Sequence, residues 1–492
     1  MAPAVLSQLI PSVGLEIHVR LQSSTKLFCA CPNLPDAAAN ALTCPVCMGL
    51  PGSLPVLSED AVRCGLQVAL AMGARVNRRS AFDRKHYFYP DLPRNYQITQ
   101  YAHPLATGGR LVIGDVGFMI RRLHLEEDAA RILAGPRVGT VAVDLNRAGT
   151  PLLEIVTEPA PVTGAQVRAW LQGLRRLLRY LEVSDGNLEK GSMRCDANVG
   201  FLTRQDGPHP WHGPWSELKN LNSPGMIGRA VDHEVERLTA LADRGAVPVQ
   251  ETRGWDRKSG CTRLLRPKEE TRDYRYLPEP DLPPVSVGQE QLARLADRLP
   301  ELPEARRERL RRQYHLASEA AFTLCRHRVL ADYFEAVAGR LAESEVAQGA
   351  TLAANWILTE VAGRWDTNDL RPGPFPVPPA AMADLLRLLA SGMIGRPAAK
   401  QVLAALLADP GSTPEEVVQR LNLSGIDDRD QLDIWCREAL TQAPEAVDSW
   451  LAGKAEALEF LMGRVMALSA GRADPVRVRE TLLDLLRPDG SG

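Results

Sequence analysis

Four cysteines stand close together near the N-terminus, Cys29 and Cys31 in a C-x-C pair and Cys44 and Cys47 in a C-x2-C pair. Two short pairs separated by a twelve-residue loop suit one tetrahedral zinc ion, each pair supplying two thiolates from one turn. Four of the chain's nine cysteines fall in this span, and Pro45 pre-shapes the second knuckle. Four reduced cysteines in a loop are the competing reading. Sulfur would fill every coordination position, so such a zinc would be structural and the chemistry must lie elsewhere.

Acidic groups could supply that chemistry. Glu16 and His18 lie two apart in VGLEIHV, so on a strand both point to one face. There a carboxylate and an imidazole can serve a metal or acid–base chemistry. A solvent-facing polar pair on an edge strand explains the same residues. In HLEED (124–128), Glu126, Glu127 and Asp128 are consecutive carboxylates, each disfavouring ionisation of the next unless a cation compensates. Mg2+ takes a few carboxylates plus water and phosphate, so the run suits a nucleotide–metal site; a solvated charge run at a helix start is the alternative. Its company shifts the balance: Glu154 sits in TPLLEIV and Asp196 in SMRCDAN. Lys85, Arg84 and Arg194 could handle phosphate, with Tyr87, Tyr89 and Tyr96 near the first two.

Elements must hold these residues in place. From about 10 to 290, short β-rich runs such as 111–113 and 141–143 alternate with Gly, Pro, Asn and Asp turns. Two clear helices interrupt them, 58–72 with Ser58 as N-cap and 164–181. The mix predicts an α+β fold with a sheet-based N-terminal domain, 1–290, whose exit is marked by PEPDLPP (278–284). Leucines at helical spacing then take over through 292–316, and 320–347 continues them. The stretch RPGPFPVPP (371–379) reads as a linker, giving a helical domain at 291–379 and a helical tail at 380–492. No internal repeat is visible.

Composition is that of a soluble globular protein: 492 residues, 45% hydrophobic, 24% charged, net charge −2. No apolar run reaches membrane-spanning length and no signal peptide follows Met1, which argues for the cytoplasm and against a membrane partner. An odd cysteine count agrees with a reducing compartment. Phosphate-loop, dinucleotide, nucleophile-elbow and H-E-x-x-H motifs are all missing. Residues alone therefore lead to a metal- and phosphate-capable cleft.

Taken together, ordered strings along the whole chain resemble the B subunit of the glutamine-dependent aspartyl/glutamyl-tRNA amidotransferases. They are VGLEIHV (13–19), CPVCMGLPGSLPVL (44–57), FDRKHYFYPDLPRNYQITQY (82–101), HLEEDAARI (124–132) and VDLNRAGTPLLEIVTEP (143–159). GSMRCDANV (191–199), ELKNLNS (217–223), ETRGWD (251–256), DYRYLPEPDLPP (273–284), SGIDD (424–428), LMGRVM (461–466) and GRADP (471–475) follow. Departures are modest: His86, Arg131 and Arg94-Asn95 replace commoner family residues, and the tail lacks a lysine- and threonine-rich run.

The resemblance implies a cradle domain, a helical domain and a tRNA-binding tail. It implies an ATP-dependent ligase that phosphorylates the side-chain carboxylate of Glu-tRNA(Gln) or Asp-tRNA(Asn) and then amidates it. Ammonia would come from an amidase (A) subunit, with a small C subunit completing a heterotrimer. On matching positions it implies Lys85, Tyr87, Glu126 and Asp196 as catalytic, and Glu189, Ser192 and Arg194 as ATP-binding. Glu16, His18, Glu127 and Glu154 would hold Mg2+, and the four cysteines structural Zn2+. An archaeal-type E subunit and a non-catalytic tRNA-binding scaffold are the alternatives. The first carries an insertion for which PEPDLPP, running straight into helix near 290, leaves no room.

Overall fold

The computed structural model describes residues 9–34, 37–203, 215–246, 248–267, 274–367, 369–423, 429–469, 473 and 475–487. Strings or parts of strings at 268–273, 424–428, 470–472 and 474 lie outside the described residues. The chain forms two compact units, one of residues up to 306 with 369–371, the other of the remainder.

The first unit is built on a ten-stranded sheet. In its Leu9–Arg20 strand, Val13, Leu15, Ile17 and Val19 alternate with Gly14, Glu16 and His18, and the four apolar residues are at most 1% exposed. That period of two is what a strand covered on one face requires, and each such burial is worth about 1.5–3 kcal/mol. This strand is central, pairing antiparallel with Met193–Thr203 on one side and Pro151–Thr157 on the other. Val116–Glu127, Ala106–Thr107 and Arg75–Val76 extend the sheet beyond Pro151–Thr157. Ser216–Lys219, Glu251–Asp256 and Cys261–Pro267 extend it the other way. Ser216–Lys219 and Glu251–Asp256 run parallel, and helix Pro224–Asp243 makes the crossover that a parallel pair demands.

Helices Glu59–Ala71, Gly164–Tyr180 and Pro224–Asp243 share one hydrophobic cluster with the apolar face of the sheet. The first two are the expected pair; Ser58 caps one by accepting from the Ala61 amide, and Thr163 caps the other in a reciprocal box with Gln166. Helix Pro224–Asp243 was not expected. Its glycines, Gly225 and Gly228, lower helix propensity, yet Gly228 suits its packing, since a Cβ there would lie 2.6 Å from the Gly164 carbonyl oxygen. A Cβ on Gly164 would lie 2.0 Å from the Gly228 carbonyl oxygen, so bare backbone is needed where these two helices meet. The acidic run at 124–127 is likewise not a helix start: it ends the Val116–Glu127 strand.

A three-stranded sheet, Leu277–Pro278, Asp83–His86 and Tyr96–Thr99, lies beside the end of that strand. Gln97 Nε2 donates to the Glu127 carbonyl at 2.8 Å, and the Leu125 amide donates to Gln100 Oε1 at 3.0 Å. These bonds fix Lys85 next to the acidic run. Helix Gln289–Asp297 follows, with Leu292 and Leu295 half-buried against the first unit's core.

The second unit is helical, and the α+β expectation holds for the chain. The apolar run at 320–347 divides into Ser318–Leu324 and Arg328–Glu343. These pack with Gly349–Trp356, Pro379–Ala390, Arg396–Ala408 and Pro414–Arg420 around one cluster. Phe375 and Val377, from the proline-rich stretch, are buried in that cluster, and the Tyr333 hydroxyl donates to the Val377 carbonyl at 2.9 Å. A second cluster gathers Arg429–Gln442, Pro444–Leu451, Glu456–Leu468 and Pro475–Leu485. No helix among the described residues is long and apolar enough to cross a membrane.

Candidate active site and metal centres

Strand register assembles the site. Arg194, His18, Glu154 and His124 are consecutive cross-strand neighbours, forming one row over four strands. Asp196 faces Glu16 in the adjacent row. Glu126, two residues beyond His124, projects from the same face. His18 Nε2 thus lies 3.4 Å from Glu126 Oε1, 3.4 Å from Glu154 Oε2 and 3.9 Å from Glu16 Oε1. His124 Nε2 lies 2.9 Å from Glu154 Oε2 and 3.8 Å from Glu126 Oε2. Ligand atoms of Glu16, His18 and Glu154 all lie within 4.8 Å of one another, as do those of His124, Glu126 and Glu154.

Burial alone would neutralise these groups, and their mutual attraction prevents it. Against burial, His124 and His18 hold the carboxyls of Glu126 and Glu154 far below the usual range. The same contacts push His124 up to about 9 and His18 well above its ordinary value. Burial, then the charge of Glu154, raises Glu16. His124 Nδ1 is buried without a hydrogen-bond partner. A hard divalent cation would replace the imidazolium protons as the neutralising charge, and the converging carboxylates fit it.

Glu127 does not join this group. Its carboxylate bonds to Arg94 at 2.7 Å and accepts from the Ile98 amide at 3.1 Å, tying the Tyr96–Thr99 strand in place. Lys85 is half-buried, its Nζ 4.8 Å from the Tyr274 ring centroid and 6.0 Å from that of Tyr87. Burial opposes its charge, but Glu126 foremost and Glu154 as well hold its pKa above the usual lysine value. Burial raises the Tyr87 phenol. Arg194 pairs with Asp128 at 2.9 Å, and Asp196 with Lys219 at 2.7 Å. The Ser192 hydroxyl accepts from Arg20 at 3.0 Å. Glu189 is exposed at the rim of a cavity of about 600 Å³ shared with Asn222, Arg229 and Trp255.

The four cysteines converge as their spacing suggests. Their sulfurs lie within 4.8 Å of one another, Cys44 and Cys47 at 3.9 Å. A tetrahedral zinc with Zn–S bonds of about 2.3 Å separates its sulfurs by about 3.8 Å, so the donors fit with little movement. A hydrogen bond from Cys29 pulls the Cys47 thiol down to about 4 against burial, helped by the Cys44 amide and the charge of Lys26. Lys26 is fully buried, and its Nζ donates to the Leu145 carbonyl at 3.2 Å.

Several arginines of the helical unit already have partners. Arg309 pairs with Glu335 at 2.6 Å, Arg311 with Glu308 at 2.9 Å, and Arg328 with Asp332 at 3.7 Å. In the tail, Arg464 bonds to Gln442 and Arg479 to Glu459. Among residues given no role from the sequence, His124, Arg94 and Lys26 stand out. His124 was recoverable: it lies two before Glu126, the same strand period that paired Glu16 with His18.

Residues 11–293 match the GatB/GatE catalytic domain and residues 332–486 match the GatB domain. The B subunit of the aspartyl/glutamyl-tRNA(Asn/Gln) amidotransferase from Moorella thermoacetica is 42% identical over 480 residues, covering 96% of this chain and 99% of the relative. The protein of that name from Thermotoga maritima is 39% identical over 485 residues, covering 97% and 98%. Its counterpart from Thermosynechococcus vestitus is 42% identical over 492 residues, covering 97% and 96%. End-to-end coverage and the second domain match favour a B-type over an E-type subunit. The chain belongs to the family of aspartyl/glutamyl-tRNA(Asn/Gln) amidotransferase B subunits, and its acidic sheet face lies within the stretch that matches the family's catalytic domain.

Proposed function

We propose that this protein activates and amidates the side chain of a misacylated tRNA. In the first step, a side-chain carboxylate oxygen of Glu-tRNA(Gln), Asp-tRNA(Asn) or both attacks the γ-phosphorus of ATP. The bond to the β–γ bridging oxygen breaks and ADP leaves. Ammonia nitrogen then attacks the acyl carbon, inorganic phosphate departs with the C–O electron pair, and the nitrogen loses a proton. A carboxylate is a poor electrophile, and phosphorylation gives it a leaving group.

Phosphoryl transfer asks the protein for positioning and charge neutralisation. Mg2+ held by Glu16, His18 and Glu154, with Glu126 beside them, would supply neutralisation at the phosphates. Lys85 counters the charge on the transferred group, and Tyr87 and Asp196 flank it as further catalytic residues. Arg194, Ser192 and Glu189 hold the nucleotide. Zinc at the four cysteines braces a loop of the cradle itself. Ammonia comes from a partner amidase (A) subunit hydrolysing glutamine, with a small C subunit completing a cytoplasmic heterotrimer. By this reading residues 1–290 are the catalytic cradle, 291–379 a helical domain, and 380–492 a tRNA-binding tail.

The observation that carries the proposal is the meeting of Glu16, Glu126 and Glu154 at one imidazole, with Lys85 on their flank. Its test is Glu16→Ala and His18→Ala in the assembled complex. ATP-dependent amide formation should vanish while aminoacyl-tRNA binding persists. Normal turnover in both variants would return the acidic face to a solvated scaffold.

A further inference from the structure

Tyr87 and Tyr274 flank Lys85, ring contacts link them to Tyr89, Tyr276 and Tyr101, and the reaction uses one of the five. Tyr274 and Tyr276 arrive on the segment that pairs with the Asp83–His86 strand, where the His86 amide donates to the Tyr274 carbonyl at 2.9 Å and Leu277 faces Arg84. Tyr274 meets Tyr87 edge-on at 6.2 Å and Tyr276 at 6.1 Å, while Tyr87 meets Tyr89 at 6.1 Å. Tyr276 stacks flat on Tyr101, with centroids 3.9 Å apart and planes 9° apart. Tyr101 is 51% exposed although Asp83 fixes its backbone by accepting from its amide at 2.9 Å. The stack therefore has a rigid base and leaves much of its outer ring in solvent.

We propose that the Tyr276–Tyr101 stack receives the unpaired 3′-terminal base of the aminoacyl-tRNA. The inference rests on the function proposed above. There the reacting carboxylate enters on an ester at the last ribose, so whatever brings it to Lys85 also brings a nucleobase within one aminoacyl chain of that lysine. Open aromatic ledges suit single-stranded nucleic acid, which gathers the rest of its affinity elsewhere. A free nucleotide favours a concave cleft, and the one beside Glu189 offers more depth than a flat ledge does. The bland account is that the stack merely closes the 274–278 segment onto the sheet.

The experiment uses the assembled complex and tRNA carrying 2-aminopurine as its 3′-terminal base. Stacking on Tyr101 quenches its fluorescence in the wild type; Tyr101→Ala and Tyr101→Leu abolish the quench, and Tyr101→Trp keeps it. Both aliphatic variants should raise KM for aminoacyl-tRNA roughly 5–150-fold. KM for ATP should stay within about twofold, with unchanged thermal melts. Tyr101→Leu fills the site without a π face, which separates stacking from packing. An unaltered quench and KM for tRNA would overturn the ledge, as would a rise in KM for ATP instead. Failure of the wild-type complex to amidate tRNA would sink the proposed function, while the quench would still decide whether the base stacks here.

Discussion

Replacing Glu154 by Gln keeps the shape of the acidic face and removes the charge that bridges its two histidines. His124 loses its 2.9 Å partner and keeps only Glu126, at 3.8 Å. His124 is 4% exposed, so solvent does little to screen the loss. Its rise from 6.5 to about 9 represents about 3 kcal/mol at about 1.4 kcal/mol per unit. Because the folded pKa is raised, this contribution is complete below pH 6.5 and is lost as pH climbs through 9. In cation-free buffer Glu154→Gln should therefore be less stable than the wild type by about 2–3 kcal/mol near pH 7. The gap should narrow as pH climbs through about 9, where His124 loses its proton in the wild type as well. Urea titrations across that range measure it. A gap independent of pH, or none at pH 7, would refute the ion-pair reasoning.

Zinc should co-purify at one ion per chain. Its removal by chelator should lower Tm by roughly 8–15 °C if free zinc had exceeded Kd about a thousandfold, whereas metal-free protein by elemental analysis would dismiss the site. Lys26→Met leaves the tetrathiolate charge uncompensated in the core and should weaken zinc about 10–100-fold in chelator competition; an unchanged Kd would make Lys26 mere packing. Gly164→Ala drives a methyl into the Gly228 carbonyl and should cost about 1–3 kcal/mol in chemical denaturation; a neutral result would mean the two helices separate freely. Deleting 410–492 should weaken tRNA affinity and flatten its salt dependence, with zinc content intact; identical salt titrations would remove the tail from RNA binding.

The central strand was legible because period-two alternation in VGLEIHV separates a buried face from a chemical one without help from other segments. The same rule applied to HLEED would have found His124, but the three consecutive acids drew the reading to carboxylates alone, with no strand assigned to them. Their burial depends on Arg94 and Gln97, residues of a separate hairpin that the sequence does not connect to Glu127. Cysteine spacing located the four sulfurs, whereas Lys26 was invisible, since nothing local marks a lysine for full burial. Helix Pro224–Asp243 escaped because its glycines lower helix propensity, and the packing of Gly228 on another helix is not marked locally. The proline-rich stretch read as a linker because composition does not reveal that Phe375 and Val377 are buried. The tyrosine ledge joins residue 101 to residue 276, a meeting fixed by strand pairing alone.

The central strand has a consequence for synthesis. Val19 pairs with Leu153 and Met193, so the strand's partners are made long after it. At about 5–20 residues per second, it waits roughly 10–40 s for its second neighbour. Throughout that time an apolar, β-prone segment is exposed beside other nascent chains. Glu16 and His18 interrupt it at alternate positions, where a charge or polar group blocks the flat pairing that aggregation needs. The two side chains placed at the heart of the acidic face would thus act earlier, as gatekeepers that keep an unpartnered strand soluble until its sheet arrives.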